Sequence, residues 1–448
     1  MKFDKNLILR RTAYLLGAGA LAAGAISLPV NADYAPVSGV KDVTLEKYLV
    51  MKKDANVPNV SFNYTIAAGD YQASNGTDTS EVFAGNDPSR VTGTPTIAGV
   101  TFKPTDTTYT EPQTLPTTVN TKKQSDGKTD DKDAVTLGDG EKYARQDIKV
   151  DFSGVQFKEP GIYRYIVTET AGDTSKGIVF DTDATRVMDV YVNDKDGQLE
   201  IGGYVLHNQD DLSTVDRAGT VANETKADGF VNKYTTWDLT ISKNVDGNQA
   251  SRDEYFPITV KISNAIKGTK YDVDLTSATA TLPIGAYVGV ANEGESDAAT
   301  IKNNRTLKEI VNPATLTVGD DGTVTQVFYV QHNQSIKIKG LANNTSYSVK
   351  ENATEINNEG YEPSAEVTGD TKTGADPGTD IAMDKTTYEV VDTAITADTT
   401  VAYKNSKSGT IPTGILSKTQ TAGFVSLAAV AGIGLYVMLE KHKKEEEA

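Results

Sequence analysis

From about residue 40 to residue 405 the chain is a succession of short runs in which apolar and polar residues alternate, separated by Gly, Asn and Asp. A period of two marks a strand with one buried face. Frequent Thr, Val, Ile and Tyr suit such a pleated surface. Arg186-Val187-Met188-Asp189-Val190-Tyr191-Val192, followed by Asp194-Lys195-Asp196-Gly197, predicts a strand entering a tight turn. Asp320-Asp321-Gly322 predicts a second turn, between Thr315-Leu316-Thr317-Val318 and Val324-Thr325-Gln326-Val327-Phe328. Neither acidic turn carries the set of spaced oxygen ligands that a calcium loop needs, so both are read as turns. The expected fold class is all-β. The polar stretch over about 67–141 is only weakly periodic and reads as an elaborated loop region on a first domain. His207 to Asp211 reads as a polar loop.

Both ends of the chain break the alternation. Lys2, Lys5, Arg10 and Arg11 precede an apolar segment from about Tyr14 to Val30, and Val30-Asn31-Ala32 resembles a signal-peptidase site. A signal peptide over residues 1–32, cut after Ala32, is expected. An uncleaved membrane anchor is the alternative, and either one exports the chain. At the other end Thr410-Ile411-Pro412-Thr413-Gly414 is followed by an apolar run from Ala422 to Leu439 and then Lys441-His442-Lys443-Lys444. An apolar run of this length can just span a bilayer, with the positive cluster kept on the cytoplasmic side. The order resembles the sorting signal of Gram-positive surface proteins, where a cysteine transpeptidase, a sortase, cuts an LPxTG-like pentapeptide between Thr and Gly. The resemblance implies cleavage between Thr413 and Gly414, and attachment to peptidoglycan at the cell wall. Leu115-Pro116-Thr117-Thr118 lacks both the Gly and a following apolar segment and is read as a coincidence.

Composition narrows the function. The 448 residues carry a formal charge of -17, and removing the two ends leaves the remainder more acidic still, because the leader is net basic. Such a surface argues against nucleic acid and favours solubility. The chain has no cysteine, although exported proteins often carry disulfides, so another device must lock the fold. His207, His332 and His442 lie far apart with no ligand-like spacing, which leaves no material for a zinc site or a His-based catalytic group. A hydrolase would lack a Cys nucleophile, a usable His and a Gly-rich phosphate loop. No metal, cofactor or ordinary enzyme activity is expected.

Asp33 to Thr413 is long enough for two to three domains, and two stretches repeat one order of features. The first opens with Val43-Thr44-Leu45-Glu46-Lys47-Tyr48-Leu49, passes Gly161 to Glu169 and closes with Gly229-Phe230-Val231-Asn232-Lys233. The second opens with Leu239-Thr240-Ile241-Ser242-Lys243-Asn244-Val245, passes Thr345 to Glu351 and closes with Val401-Ala402-Tyr403-Lys404-Asn405. Each places a Lys on its first strand, a Glu on a middle strand and an Asn on its last. Lys47 shares its face with Val43, Leu45 and Leu49, and Lys243 with Leu239, Ile241 and Val245; Glu169, Glu351, Asn232 and Asn405 likewise fall on apolar faces. All six therefore point into cores. Buried charges must be paired or chemically altered. Desolvation lowers an amine's pKa and raises a carboxyl's, which prepares a neutral nucleophile beside a protonated acid. The amine can then attack the Asn carboxamide, with the carboxyl polarising its carbonyl and shuttling protons, until ammonia leaves and an intramolecular amide remains. Holding the groups in attack geometry can supply roughly 7–11 kcal/mol of the barrier. A Lys-Glu ion pair hydrogen-bonded to Asn, with no covalent step, is equally compatible with alternation alone.

The blocks Phe157 to Glu169 (FKEPGIYRYIVTE) and Ser335 to Glu351 (SIKIKGLANNTSYSVKE), with Tyr403-Lys404-Asn405 shortly before Ile-Pro-Thr-Gly, resemble the T-antigen-type (FctA-like) backbone pilins of Gram-positive cocci. The resemblance covers most of the chain and is weakest across 67–141. It implies two tandem CnaB-like, immunoglobulin-type β-sandwiches, expected at residues 33–234 and 235–409, with the sorting signal at 410–448. It also implies a Lys47-Asn232 isopeptide bond with Glu169 as catalyst, and a Lys243-Asn405 bond with Glu351 as catalyst.

Polymerisation needs an acceptor amine on each subunit. In the pilins resembled here that amine is a lysine just before the first domain's closing Asn, which points to Lys226, six residues ahead of Asn232. The spacing differs by one residue from the family arrangement and no YPK-type motif is present; Lys233 is the rival. The resemblance implies a thioester of a pilus-specific sortase with Thr413, resolved by Lys226 of another copy of the chain. Minor pilins are further expected partners. The leading reading is the polymerising shaft subunit of a covalent pilus; the alternative is a monomeric wall-anchored adhesin that binds through 67–141.

Overall fold

The computed structural model describes residues 42–74, 81–110, 121–122, 137–208, 225–226, 229–277, 314–369, 380–382 and 384–409. Its sheets are each built wholly from residues 42–234 or wholly from residues 236–406. The architecture is all-β, in two tandem sandwiches.

The main strands of the first sandwich are β1 (Asp42–Lys52), β2 (Val60–Ala68), β3 (Glu141–Asp151), β4 (Gly161–Thr170), β5 (Thr185–Lys195), β6 (Gln198–Asn208) and β7 (Gly229–Tyr234). One sheet runs 178–179, β7, β1, β3, 96–97, and the facing sheet runs 100–102, β2, β4, β5, β6, 225–226, 121–122. The first strand and the last are therefore parallel neighbours, with Lys47 opposite Phe230 and Leu49 opposite Asn232. This closeness depends on Gly229, where a Cβ would stand 1.6 Å from the Glu46 carbonyl oxygen. Val43, Leu45, Leu49 and Met51 enter the core between the sheets, as alternation predicts. Tyr48 and Val50 on the other face are also buried, under Tyr143, so β1 is covered on both sides.

The second sandwich contains β8 (Thr236–Asp246), β9 (Phe256–Ser263), β10 (Lys270–Ser277), β11 (Val324–Val330), β12 (Gln334–Ala342), β13 (Ser346–Glu351), β14 (Glu362–Thr368) and β15 (Thr399–Ser406). One sheet runs 314–317, β10, β12, β8, β15, β14, 380–382, and the other runs β11, β9, β13, 389–392. First and last strands are again parallel, with Lys243 opposite Tyr403 and Val245 opposite Asn405. One helix, α1 (Ala353–Glu359), sits between β13 and β14; the Asn352 side chain accepts from the Glu355 N–H at its start, and Gly360 closes it at φ 75°.

One turn forms as expected and two expectations change in detail. Asp196-Gly197 is a two-residue hairpin turn with both φ positive, at 56° and 79°. Asp320-Asp321-Gly322 is also a turn, closed by Gly319 N–H to Thr323 O at 2.8 Å, but it carries the chain from one sheet to the other rather than forming a hairpin. Within 67–141, pieces of two or three residues pair as strands at 83–84, 91–92, 96–97, 100–102 and 108–109. Phe83, Val91, Val100 and Phe102 from these pieces are core residues, so this part is fold rather than loop. Strands that short hold too few positions to display a period.

His207 is a correction. It lies on β6, buried, with Nε2 3.5 Å from Asp189 Oδ2. Asp189 also takes a two-pronged bond from Arg164, at 2.8 Å to each oxygen, and these partners hold its carboxyl down at about 2 against the effect of burial.

Candidate functional site

Among the described residues, each sandwich buries one lysine between its two sheets. Lys47 lies on β1, its Nζ 2.5 Å from Glu169 Oε1 on the facing sheet, and neither side chain is more than 1 % exposed. Asn232 on β7 donates from Nδ2 to the same Glu169 oxygen at 3.0 Å. Its Oδ1 accepts the main-chain N–H of Asp181 at 2.9 Å. Those two partners fix the orientation of the carboxamide, because a flip would set N–H against N–H. The trio Lys47, Glu169 and Asn232 therefore meets around one carboxyl oxygen.

Aromatic rings line the amine. Lys47 Nζ stands 4.6 Å from the Phe62 ring centre and 5.9 Å from that of Phe230, its register partner. Burial pulls the Lys47 amine down to about 8, although Glu169 and Asp181 pull the other way. Tyr64 packs on Phe230, and its phenol is pushed well above the usual range by burial and then by the Glu169 charge.

The second sandwich repeats the plan. Lys243 on β8 contacts Glu351 Oε1 on the facing sheet, and both side chains are fully buried. Its Nζ stands 4.3 Å from the Phe256 ring centre and 6.0 Å from that of Tyr403, again the register partner. Burial pulls its pKa down to about 8 against the opposing pull of Glu351. Asn405 lies two residues past Tyr403, at 0 % exposure, the same offset that separates Asn232 from Phe230. Asn405 differs in one respect. Its Nδ2 and Oδ1 are buried without a hydrogen-bond partner among the described residues, whereas the second carboxyl oxygen is orphaned at both sites, Glu169 Oε2 and Glu351 Oε2. Orphaned groups of this kind each cost on the order of 1–3 kcal/mol.

Arg186 escaped the sequence reading. It alternates onto the core face with Met188 and Val190, is fully buried, and pairs its Nη2 with Asp181 Oδ2 at 2.6 Å. An arginine on an apolar face near a buried lysine was the available signal. Of the proposed linkage residues, Lys226 lies on the two-residue strand Thr225–Lys226, its backbone in register with His207 and Thr121. Lys233 is half exposed and held by Glu141 Oε1 at 2.5 Å. Thr413, Gly414, the leader and the apolar run from Ala422 to Leu439 lie outside the described residues. Among the described residues no helix is long and apolar enough to cross a membrane.

The lowered amine has a pH consequence. Asn232→Ala keeps Lys47 and Glu169 but removes the carboxamide. Lys47 then titrates near 8 when folded and 10.5 when unfolded, so between those values the unfolded chain binds more protons and stability rises with pH. The urea midpoint of Asn232→Ala, measured against Lys47→Met/Asn232→Ala, is expected to climb from about pH 7.5 to about pH 9.5. A pH-independent difference would contradict it.

Residues 41–235 match the family of the Spy0128-like isopeptide containing domain, and residues 237–407 match a domain of unknown function (DUF7601). A curated relative, a pilin of Streptococcus pyogenes serotype M1, is 25 % identical over 195 residues, covering 42 % of this chain and 51 % of the relative. The chain thus spans about half the length of that relative. Among solved structures, the major pilin of Streptococcus pyogenes aligns at TM-score 0.46 and 19 % identity over 83 % of this chain and 100 % of that one. The major pilin T3.2 of the same species aligns at TM-score 0.47 and 17 % identity, with the same coverage. Lys47, Glu169 and Asn232 all fall within the span of the first match, and residues 41–235 are thus similar to the Spy0128-like isopeptide containing domain.

Proposed function

We propose that this chain is the major shaft subunit of a sortase-assembled pilus on a Gram-positive cell surface, closed internally by Lys47-Asn232 and Lys243-Asn405 amides and joined to its neighbours through Thr413. The carrying observation is the repeated constellation: a buried Lys-Glu pair with an Asn on the parallel neighbouring strand, at the same register offset in both sandwiches. A single buried ion pair is ordinary. Two copies with matching aromatic walls and matching offset, in a chain with no cysteine, favour a device that is used.

The chemistry follows from the surroundings of each amine. Glu169 takes a proton from Lys47, the neutral Nζ adds to the Asn232 carboxamide carbon, and the carboxyl delivers that proton to Nδ2 and accepts the second one that Nζ sheds as it becomes an amide nitrogen. Ammonia departs with the broken C–N bond and a secondary amide replaces it. Glu351 does the same for Lys243 and Asn405, which would also remove the orphaned Nδ2 as ammonia. Residues 33–234 and 235–409 are the proposed domains, and 1–32 and 410–448 the export and sorting signals. A pilus sortase, other copies of the chain, minor pilins and peptidoglycan are the proposed partners.

Intact mass spectrometry of residues 33–413 tests the covalent part. The expected mass is two ammonias below that of the unmodified polypeptide, with Glu169→Ala restoring one and Glu351→Ala the other. An unshifted wild-type mass would remove the amides from the proposal.

A further inference from the structure

In the first sandwich the carbonyl of Asn232 is already held by a donor. The short strand at 178–179 pairs antiparallel with β7, Ile178 opposite Tyr234 and Val179 opposite Lys233. Continued by two residues, that ladder would bring Asp181 opposite Val231. The side chain intervenes instead: Asp181 Oδ2 accepts the Val231 N–H at 3.2 Å. The Asp181 main-chain N–H is thereby released from the ladder and reaches Asn232 Oδ1 at 2.9 Å.

Arg186 holds this arrangement from beneath. Its Nη2 donates to Asp181 Oδ2 at 2.6 Å, its Nε to the Gly229 carbonyl at 3.1 Å, and its Nη1 to the Asp183 carbonyl. A single planar guanidinium thus ties the 181–183 turn to the start of β7.

We propose that the Asp181 main-chain N–H is the oxyanion donor for amide formation at Asn232, and that Arg186 is the residue that positions it. This rests on the isopeptide reading above. When Lys47 Nζ bonds to the carboxamide carbon, the C=O π electrons move onto Oδ1, and a fixed N–H within hydrogen-bond distance stabilises that charge without reorganising. As the C–N bond to Nδ2 breaks, the electrons return, the carbonyl re-forms and ammonia leaves with the proton carried by Glu169. The donor is in place before reaction. The second sandwich has no counterpart, since Asn405 Oδ1 accepts no hydrogen bond among the described residues. The two bonds therefore close at different speeds, the Lys47-Asn232 bond first.

Cell-free synthesis of the full chain, quenched in acid at intervals and digested, reads both crosslinked peptides in one sample. Incorporating the α-hydroxy analogue of aspartate at position 181 replaces the N–H by oxygen and leaves the side chain intact. This ester is expected to slow the Lys47-Asn232 bond about 100-fold, the usual scale for losing one such donor, with the Lys243-Asn405 rate unchanged. Arg186→Gln should slow the same bond, and Arg186→Lys, which keeps a cation for Asp181, should slow it less. Protease resistance of the first sandwich in the same samples separates slow chemistry from failure to fold: a resistant ester chain with Lys47 and Asn232 unjoined supports the assignment. First-bond closure at the wild-type rate in the ester chain would overturn it, while a wild-type chain that closes neither bond would overturn the isopeptide reading itself.

Discussion

Asn405→Ala is expected to lower the stability of the second sandwich by about 5 kcal/mol, the chain-entropy value for opening a covalent loop of roughly 160 residues. The sign of this effect is diagnostic. In an unbonded protein, Asn405 contributes two buried polar atoms that satisfy nothing. Replacing it by alanine would then be close to neutral, because removing an orphaned polar group offsets the small cavity left behind. In a bonded protein the same replacement opens the link between β8 and β15. At the usual entropy of unfolding for a domain of this size, about 5 kcal/mol lowers Tm by about 10–20 °C. Thermal unfolding of wild type and Asn405→Ala, each with its mass recorded, distinguishes the two cases. A midpoint that stays level or rises, with no change in ammonia content, would leave Lys243 and Glu351 as a plain ion pair.

Choosing Asn rather than Lys or Glu for this test avoids a confusion. Lys243→Ala would strand Glu351, and Glu351→Ala would strand Lys243, in a core where the remaining charge has no other ionic partner among the described residues. Breaking a buried pair from one side costs about 3–5 kcal/mol whether or not an amide ever formed. Asn405 carries no charge, so its removal reports on the bond.

The sequence disclosed the strand faces because alternation is a local property. Val43, Leu45, Lys47 and Leu49 obey one period, and burial of Lys47 among them follows from the same pleat that buries the leucines. What the period cannot show is register across strands far apart in the chain. That Leu49 faces Asn232 and Val245 faces Asn405 is set by how the first and last strands slide past each other. Gly229 is part of that placement, and its need to be glycine appears only when the Glu46 carbonyl lies against it. Asp181 was hidden for a related reason. It acts through a backbone N–H, which has no residue signature, at the point where a two-residue strand gives out. His207 was misjudged because the polar run Asn208 to Asp211 begins immediately after it and masks the end of β6.

Lys226→Arg is expected to abolish covalent polymers while leaving both internal ammonia losses intact. Cells expressing the wild-type chain with a pilus sortase should yield a high-mass ladder on a denaturing gel, and the Arg variant a single wall-linked band. Arginine keeps the positive charge, but its guanidinium stays protonated and offers no free amine to resolve a thioester. The backbone of Lys226 sits in the facing sheet beside β6, on a two-residue strand just ahead of β7. With the linkage there, tension arriving from the neighbouring subunit enters six residues before Asn232. It runs through β7 into β8 across Thr235, crosses from Lys243 to Asn405, and leaves along β15 toward Thr413. Only Lys226 to Lys243 and Asn405 to Thr413 of this chain lie on that line, so stretching the fibre need not shear a ladder of hydrogen bonds. Lys233 would offer nearly the same line, but its amine is engaged by Glu141, so Lys233→Arg should leave the ladder unchanged. A ladder that survives Lys226→Arg and disappears with Lys233→Arg would move the joint to β7, and a wild-type chain that never forms one would make this protein a single wall-bound molecule rather than a shaft.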